Sequence, residues 1–193
     1  MNPAEIMGIL EERGAVLHGH FKLSSGRHSD LFVQKFRVLE HPRLAQRFGE
    51  SIAESFGRHF DVVASPAVGA VVLGFATALA ADARLVFAER VDDKMAFRRG
   101  FELASRERTL IVEDVVTTGA SAYEVVDLVR RAGAEPIGVG ALIDRADPAK
   151  PTSFGVPMQS LLKLETKSWD PAECPLCAAG APVDDPGSRR IRS

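Results

Sequence analysis

The sequence predicts an α/β protein: a central parallel sheet flanked by helices, with a small hood built near the N- and C-termini. Three observations lead there. Short runs that are apolar on both faces, DVVAS (61–65), RLVFAE (84–89), TLIVED (109–114) and PIGVGALID (136–144), alternate with stretches of helical period. Strands without a polar face need a sheet covered on both sides. The chain's 193 residues, 46% of them hydrophobic, suit a single domain spanning 1–193.

The elements follow in order. Residues 3–13 read as a helix with Ile6, Ile9 and Leu10 on one face and Gly14 as its stop. FKLSSGRHSDLFVQ alternates around a Ser-Ser-Gly turn and reads as strands joined by an exposed turn. Pro42 opens a helix whose Ala45, Phe48, Ile52 and Phe56 face inward while Arg47, Glu50 and Glu54 face water. Residues 67–82 form an apolar helix, and 121–134 a helix with Ala122, Val125, Val126 and Val129 inward. Between the strands at 84–89 and 109–114 lies RVDDKMAFRRGFELASRER (90–108), long and charged enough to be a lid. MQSLLKLET (158–166) is a further strand, placed with residues 16–36 in the hood. The Pro- and Gly-rich tail from about 174 to 193 is expected to be extended or partly disordered.

A formal charge of −2 argues against nucleic acid or a membrane surface as partner, since both demand clustered Lys and Arg. No run of about 18 apolar residues is present, and the first residues carry acids where an export signal has basic and apolar blocks. A cytoplasmic protein is expected. Cys174 and Cys177 form CPLC, which reads either as a turn with reduced thiols or as half of a zinc site; two chains of a dimer would supply four cysteines.

The most informative stretch is LIVEDVVTTGAS (110–121). Ligands of open α/β sheets bind at the carboxyl ends of strands, which is where Glu113 and Asp114 fall. The Thr-Thr-Gly-Ala-Ser turn that follows opens a helix, whose free N–H groups, with nearby hydroxyls and a glycine, make an anion cradle. Acids beside an anion cradle are odd unless the ligand also brings hydroxyls or a metal; a ribose 5-phosphate brings hydroxyls.

EDVVTTGAS resembles the signature of the type I phosphoribosyltransferases, which bind 5-phosphoribosyl-1-diphosphate (PRPP). The resemblance runs from about Phe21 to Glu165 and implies that Glu113 and Asp114 hold the ribose hydroxyls. Val116, Thr117, Thr118, Gly119, Ala120 and Ser121 would then hold the 5-phosphate, with Mg²⁺ as cofactor and no assigned protein metal ligand. FKLSSGRHSDLF (21–32) is similar to the orotate-specific branch, implying orotate contacts from Ser25, Gly26, Phe32, Thr117 and Arg145, the last in LIDRAD. Ser24 departs from a lysine common in that branch, and Lys22 alternates to the other strand face. ASPAVGA (64–70) resembles the pyrophosphate loop, implicating Ala67, Val68 and Gly69. In the lid the resemblance implies catalytic roles for Arg90 and Lys94 beside Asp114, and a homodimer sharing the lid across its interface. Val91 and Ala96 replace two further family residues, and Arg98 or Arg99 is the candidate substitute. The implied reaction joins orotate to PRPP in UMP synthesis; a purine or other base phosphoribosyltransferase, or a PRPP-sensing regulator, is the alternative.

Overall fold

The structure, a computed structural model, describes residues 1–23, 25–92, 94–146 and 153–186. The expectations at Ser24 and for the end of the tail lie outside these residues. Helix α1 (Pro3–Glu12) is capped by the Asn2 side chain, which accepts from the Glu5 N–H at 2.9 Å. It leads into strands β1 (Val16–Lys22) and β2 (His28–Val33), the short helix α2 (Phe36–Leu39) and helix α3 (Pro42–Ser55). Then come β3 (Val62–Pro66), α4 (Val71–Ala81), β4 (Arg84–Val91), β5 (Lys94–Phe97), β6 (Arg108–Val116), α5 (Ala120–Arg131) and β7 (Glu135–Asp144). The chain continues through β8 (Met158–Lys163), β9 (Ser168–Trp169), a 3₁₀ turn at Pro171–Glu173 and α6 (Pro175–Ala178).

Six strands form the central sheet in the order β5-β4-β3-β6-β7-β8, parallel except for β5. The inner strands are apolar on both faces because both are covered. Leu110 and Val112 of β6 join a core with Ile6, Phe48, Ile52 and Leu73, from α1, α3 and α4. Ile111, pointing the other way, joins Val125, Val126 and Val129 of α5. Among the described residues no helix is long and apolar enough to cross a membrane.

Three expectations are corrected. Met158–Lys163 does not belong to the hood but pairs in parallel with β7; its half-polar alternation is that of an edge strand. The hood is instead β1-β2-β9, antiparallel, with Ser168 and Trp169 supplying the third strand. Residues 90–108 are not one long lid: β4 continues to Val91 and turns into β5, whose Met95 is buried. The segment after 174 is not simply an extended tail, since α6 folds against the hood and the Asp184 N–H donates to the His20 carbonyl at 2.8 Å.

Helices α3 and α4 cross at Gly49, where a Cβ would lie 2.6 Å from the Thr77 nitrogen and 2.7 Å from the Ala76 Cβ. Backbone cannot yield as a side chain can. Gly49→Ala is expected to destabilise the protein by about 1–3 kcal/mol in urea unfolding, although alanine by itself would favour the helix by about 1 kcal/mol.

Candidate active site

Leu110, Ile111 and Val112 are sealed in the sheet, and β6 delivers Glu113 and Asp114 towards its carboxyl end, both still buried. The strand finishes at Val116, and the chain turns through Thr117, Thr118 and Gly119 into α5. Gly119, at φ 73°, is the N-cap and brings no capping side chain; a residue with a Cβ would be strained there. The first turn of α5, where the Ala120 N–H donates to Thr118 Oγ1 at 3.4 Å, borders a recess of about 50 Å³ lined by Glu113, Val115, Val116 and residues 117–121.

Asp114 is the most constrained group. Its Oδ1 accepts from the Val115 N–H at 2.6 Å, and its Oδ2 lies 2.5 Å from Lys35 Nζ, with only 3% of the side chain exposed. That second contact is an ion pair without the direction of a hydrogen bond, so Oδ2 accepts no donor. Gly69 closes the other side: a Cβ there would collide with Asp114 Oδ2 and come within 2.7 Å of Lys35 Nζ. Ala67, Val68 and Gly69 thus form a turn beside the acids, with Val68 turned out to solvent.

Glu113 responds to the same surroundings. Its Oε1 accepts from the Asp114 N–H at 3.0 Å. Burial, and then the charge of Asp114, push its carboxyl up to about 8, only partly opposed by the Asp114 N–H and by Lys35. The pair therefore holds a proton well above the ordinary carboxylate range.

Arg145 follows β7, and its N–H donates to the Val116 carbonyl at 2.7 Å, fixing it next to the phosphate turn. Its guanidinium donates to Leu31 O and Thr166 Oγ1, each at 3.3 Å. Burial holds its pKa below the ordinary arginine range, offset in part by Asp30. The hood turn is close in sequence to these partners. Gly26 adopts φ 81° with its N–H on Leu23 O at 2.8 Å, and Ser25 is exposed. Phe32 rests on Phe21 with ring centroids 5.8 Å apart.

The lid cations separate into different settings. Arg90 bonds Glu124 of α5 at 2.8 Å, Arg99 makes a two-point pair with Glu89, and Lys94 and Arg98 are exposed. Sequence reasoning missed Lys35, which has no periodic signal and meets Asp114 only through the fold. It also missed Arg27, which stands inside the SSGRHS string and donates to Ser168 O at 2.6 Å.

A family model described as the phosphoribosyl transferase domain matches residues 37–172. The chain belongs to the phosphoribosyltransferase family. Its curated relatives carry a more particular name, orotate phosphoribosyltransferase. The protein of that name from Caldanaerobacter subterraneus subsp. tengcongensis is 44% identical over 192 residues, covering 99% of this chain and 100% of its own. That from Thermotoga petrophila is 45% identical over 189 residues, covering 97% and 100%. The crystal structure of the Mycobacterium tuberculosis H37Rv orotate phosphoribosyltransferase in complex with inorganic phosphate matches with a TM-score of 0.65 at 27% identity, covering 84% of this chain and 95% of that one.

The raised Glu113 carboxyl has a consequence for stability. Between about 4.5 and about 8 the native state holds a proton that the unfolded chain has released, so stability falls as pH rises through that window. Glu113→Gln, which cannot ionise, is expected to flatten this part of the melting-temperature profile; identical slopes for both proteins would show that Glu113 is not the titrating group.

Proposed function

We propose that the chain transfers the 5-phosphoribosyl group of PRPP to orotate, giving orotidine 5′-phosphate and pyrophosphate in UMP synthesis. The observation that carries this reading is the Gly119 start of α5 beside the buried Glu113–Asp114 pair. In this reading the amides of Val116 to Ser121 and the hydroxyls of Thr117, Thr118 and Ser121 hold the 5-phosphate. Asp114 and Glu113 take the ribose hydroxyls, Asp114 as a charged acceptor and Glu113 as a carboxyl still able to donate. In the 67–69 turn the Val68 and Gly69 amides are assigned to the diphosphate, since the Ala67 N–H donates to the Ala88 carbonyl at 2.8 Å.

On the base side Arg145 offers a partly desolvated cation, bonded among the described residues to the neutral oxygens of Leu31 and Thr166, to a carboxylate or carbonyl. Ser25, Gly26, Phe32 and Thr117 complete the contacts to orotate. A purine brings no negative group for that cation. Bond breaking at the anomeric carbon loads charge onto the departing pyrophosphate, and Lys94 and Arg90 of the β4–β5 hairpin are the cations assigned to it.

Mg²⁺ fits here through its substrate: it keeps mostly water and phosphate oxygens as ligands, and Asp114 Oδ2, 2.5 Å from Lys35 Nζ, is already met by a cation. No side chain is assigned as its direct ligand, and the ion would neutralise charge on the diphosphate. A homodimer is supported by Val72, Phe75 and Leu79, which with Val68 make an exposed apolar stripe along α4. The two free thiols are in keeping with a cytoplasmic setting.

A pyrophosphate-release assay with PRPP and Mg²⁺ should give turnover with orotate and none with adenine, guanine or uracil; adenine turnover would reassign the base. Asp114→Asn should fold and lose about 1.5–3 kcal/mol of transition-state stabilisation in kcat/KM, whereas unchanged kinetics would remove Asp114 from the site. Lys94→Ala should lower turnover more than it weakens PRPP binding. Mixing Lys94→Ala chains with Asp114→Asn chains should restore activity if the hairpin serves the neighbouring subunit, and verified mixed dimers without rescue would place Lys94 in its own subunit's site.

A further inference from the structure

The hood holds a second constellation, apart from the phosphate turn and the acids. His20 on β1, His28 at the start of β2, and Cys174 and Cys177 around α6 each turn one donor atom inward, and all four donors lie within 4.8 Å of one another. His20, His28 and Cys174 are buried. The nitrogen-to-sulfur separations are 3.5 Å (Cys174 to His20 Nε2), 3.7 Å (Cys177 to His20 Nε2) and 3.3 Å (Cys177 to His28 Nδ1). Bonds of about 2.0–2.1 Å to nitrogen and about 2.3 Å to sulfur, at tetrahedral angles, put such atoms about 3.6 Å apart. The two nitrogens, 2.8 Å apart, are closer than the roughly 3.3 Å those bonds require, and a small ring movement opens them.

Hydrogen bonding alone leaves this cluster unsatisfied. His20 Nδ1 lies 2.9 Å from the Ala181 carbonyl. A carbonyl only accepts, so Nδ1 carries the proton and Nε2 presents its lone pair to the cluster. That single lone pair is faced by three groups at once: His28 Nδ1 and both sulfurs. Only one can donate to it. A cation at the centre satisfies all four donors together, and the Ala181 carbonyl then orients a ligating imidazole.

Packing supplies a further reason. The 3₁₀ turn at Pro171–Glu173 and α6 bury no side chain of their own, and β9 is two residues long, so apolar burial does little to hold this segment against β1 and β2. We propose that His20, His28, Cys174 and Cys177 form a structural tetrahedral Zn²⁺ site that ties the C-terminal segment to the hairpin carrying the Ser25-Gly26 turn. Two thiolates and two imidazoles suit zinc over harder cations. The pair of cysteines is thus completed by two histidines of the same chain, and a second subunit is not needed to fill the site.

The full-length protein, purified from zinc-supplemented culture and desalted, should contain one zinc per chain by elemental analysis. Refilled with Co²⁺ after chelator stripping, it should give the intense visible bands of tetrahedral, thiolate-bound cobalt. The Cys174→Ser/Cys177→Ser double variant should lose the zinc, and a chelator should lower the melting temperature of the wild type and leave that of the variant unmoved. Wild-type protein without stoichiometric zinc and with only the weak bands of octahedral Co²⁺ would overturn the proposal. So would zinc retained by the double variant, equal chelator sensitivity of both proteins, or a Cys174–Cys177 disulfide as the resting state by mass. Should the variant fail to fold, the wild-type zinc content and Co²⁺ spectrum decide on their own. Neither measurement depends on which base the enzyme uses.

Discussion

Asp114 is a carboxylate almost sealed from water, and such a group is tolerated only where a cation meets it. Lys35 supplies that cation from the end of the hood, so the pair spans the junction between the hood and the central sheet. The rest of the centre follows from this one contact. Residue 69 must lack a side chain because the pair fills the space a Cβ would take. Glu113, one residue away, has its carboxyl pushed up first by its own burial and then by the charge of Asp114.

Three neighbouring strands share the task of building around that pair. β3, β6 and β7 lie side by side and run in the same direction. Their carboxyl ends place the 67–69 turn, the phosphate turn and Arg145 along one edge, where open parallel sheets bind ligands. Because β6 lies between the other two, the acids sit between the 67–69 turn and Arg145.

Much of this was legible in the sequence because its signals are local. Leu110 to Val112 read as a buried strand, Val125, Val126 and Val129 as the inner face of a helix, and TTGAS as a turn into that helix; each depends on residues a few positions apart. What escaped depends on pairing across long separations. Lys35 has no pattern of its own and becomes meaningful only where β6 ends beside it. Met158–Lys163 alternates as a hood strand would, and only its partner β7 distinguishes the two placements. His20 and His28 look like ordinary hairpin residues until α6 brings two thiols to them. Charge made residues 90–108 look like one continuous lid, although Met95 and Phe97 carry the alternation that folds part of it into a hairpin.

The hood is assembled from sequence that emerges from the ribosome at very different times. Its hairpin, residues 16–33, is synthesised early, whereas Ser168, Trp169 and the residues around α6 follow after every strand of the central sheet. Domains form as units while the chain is made, so the nascent protein has the 117–121 turn in place before the three-stranded hood can close. Loss of the last strand in a stalled or clipped chain leaves the central sheet complete and the hood one strand short.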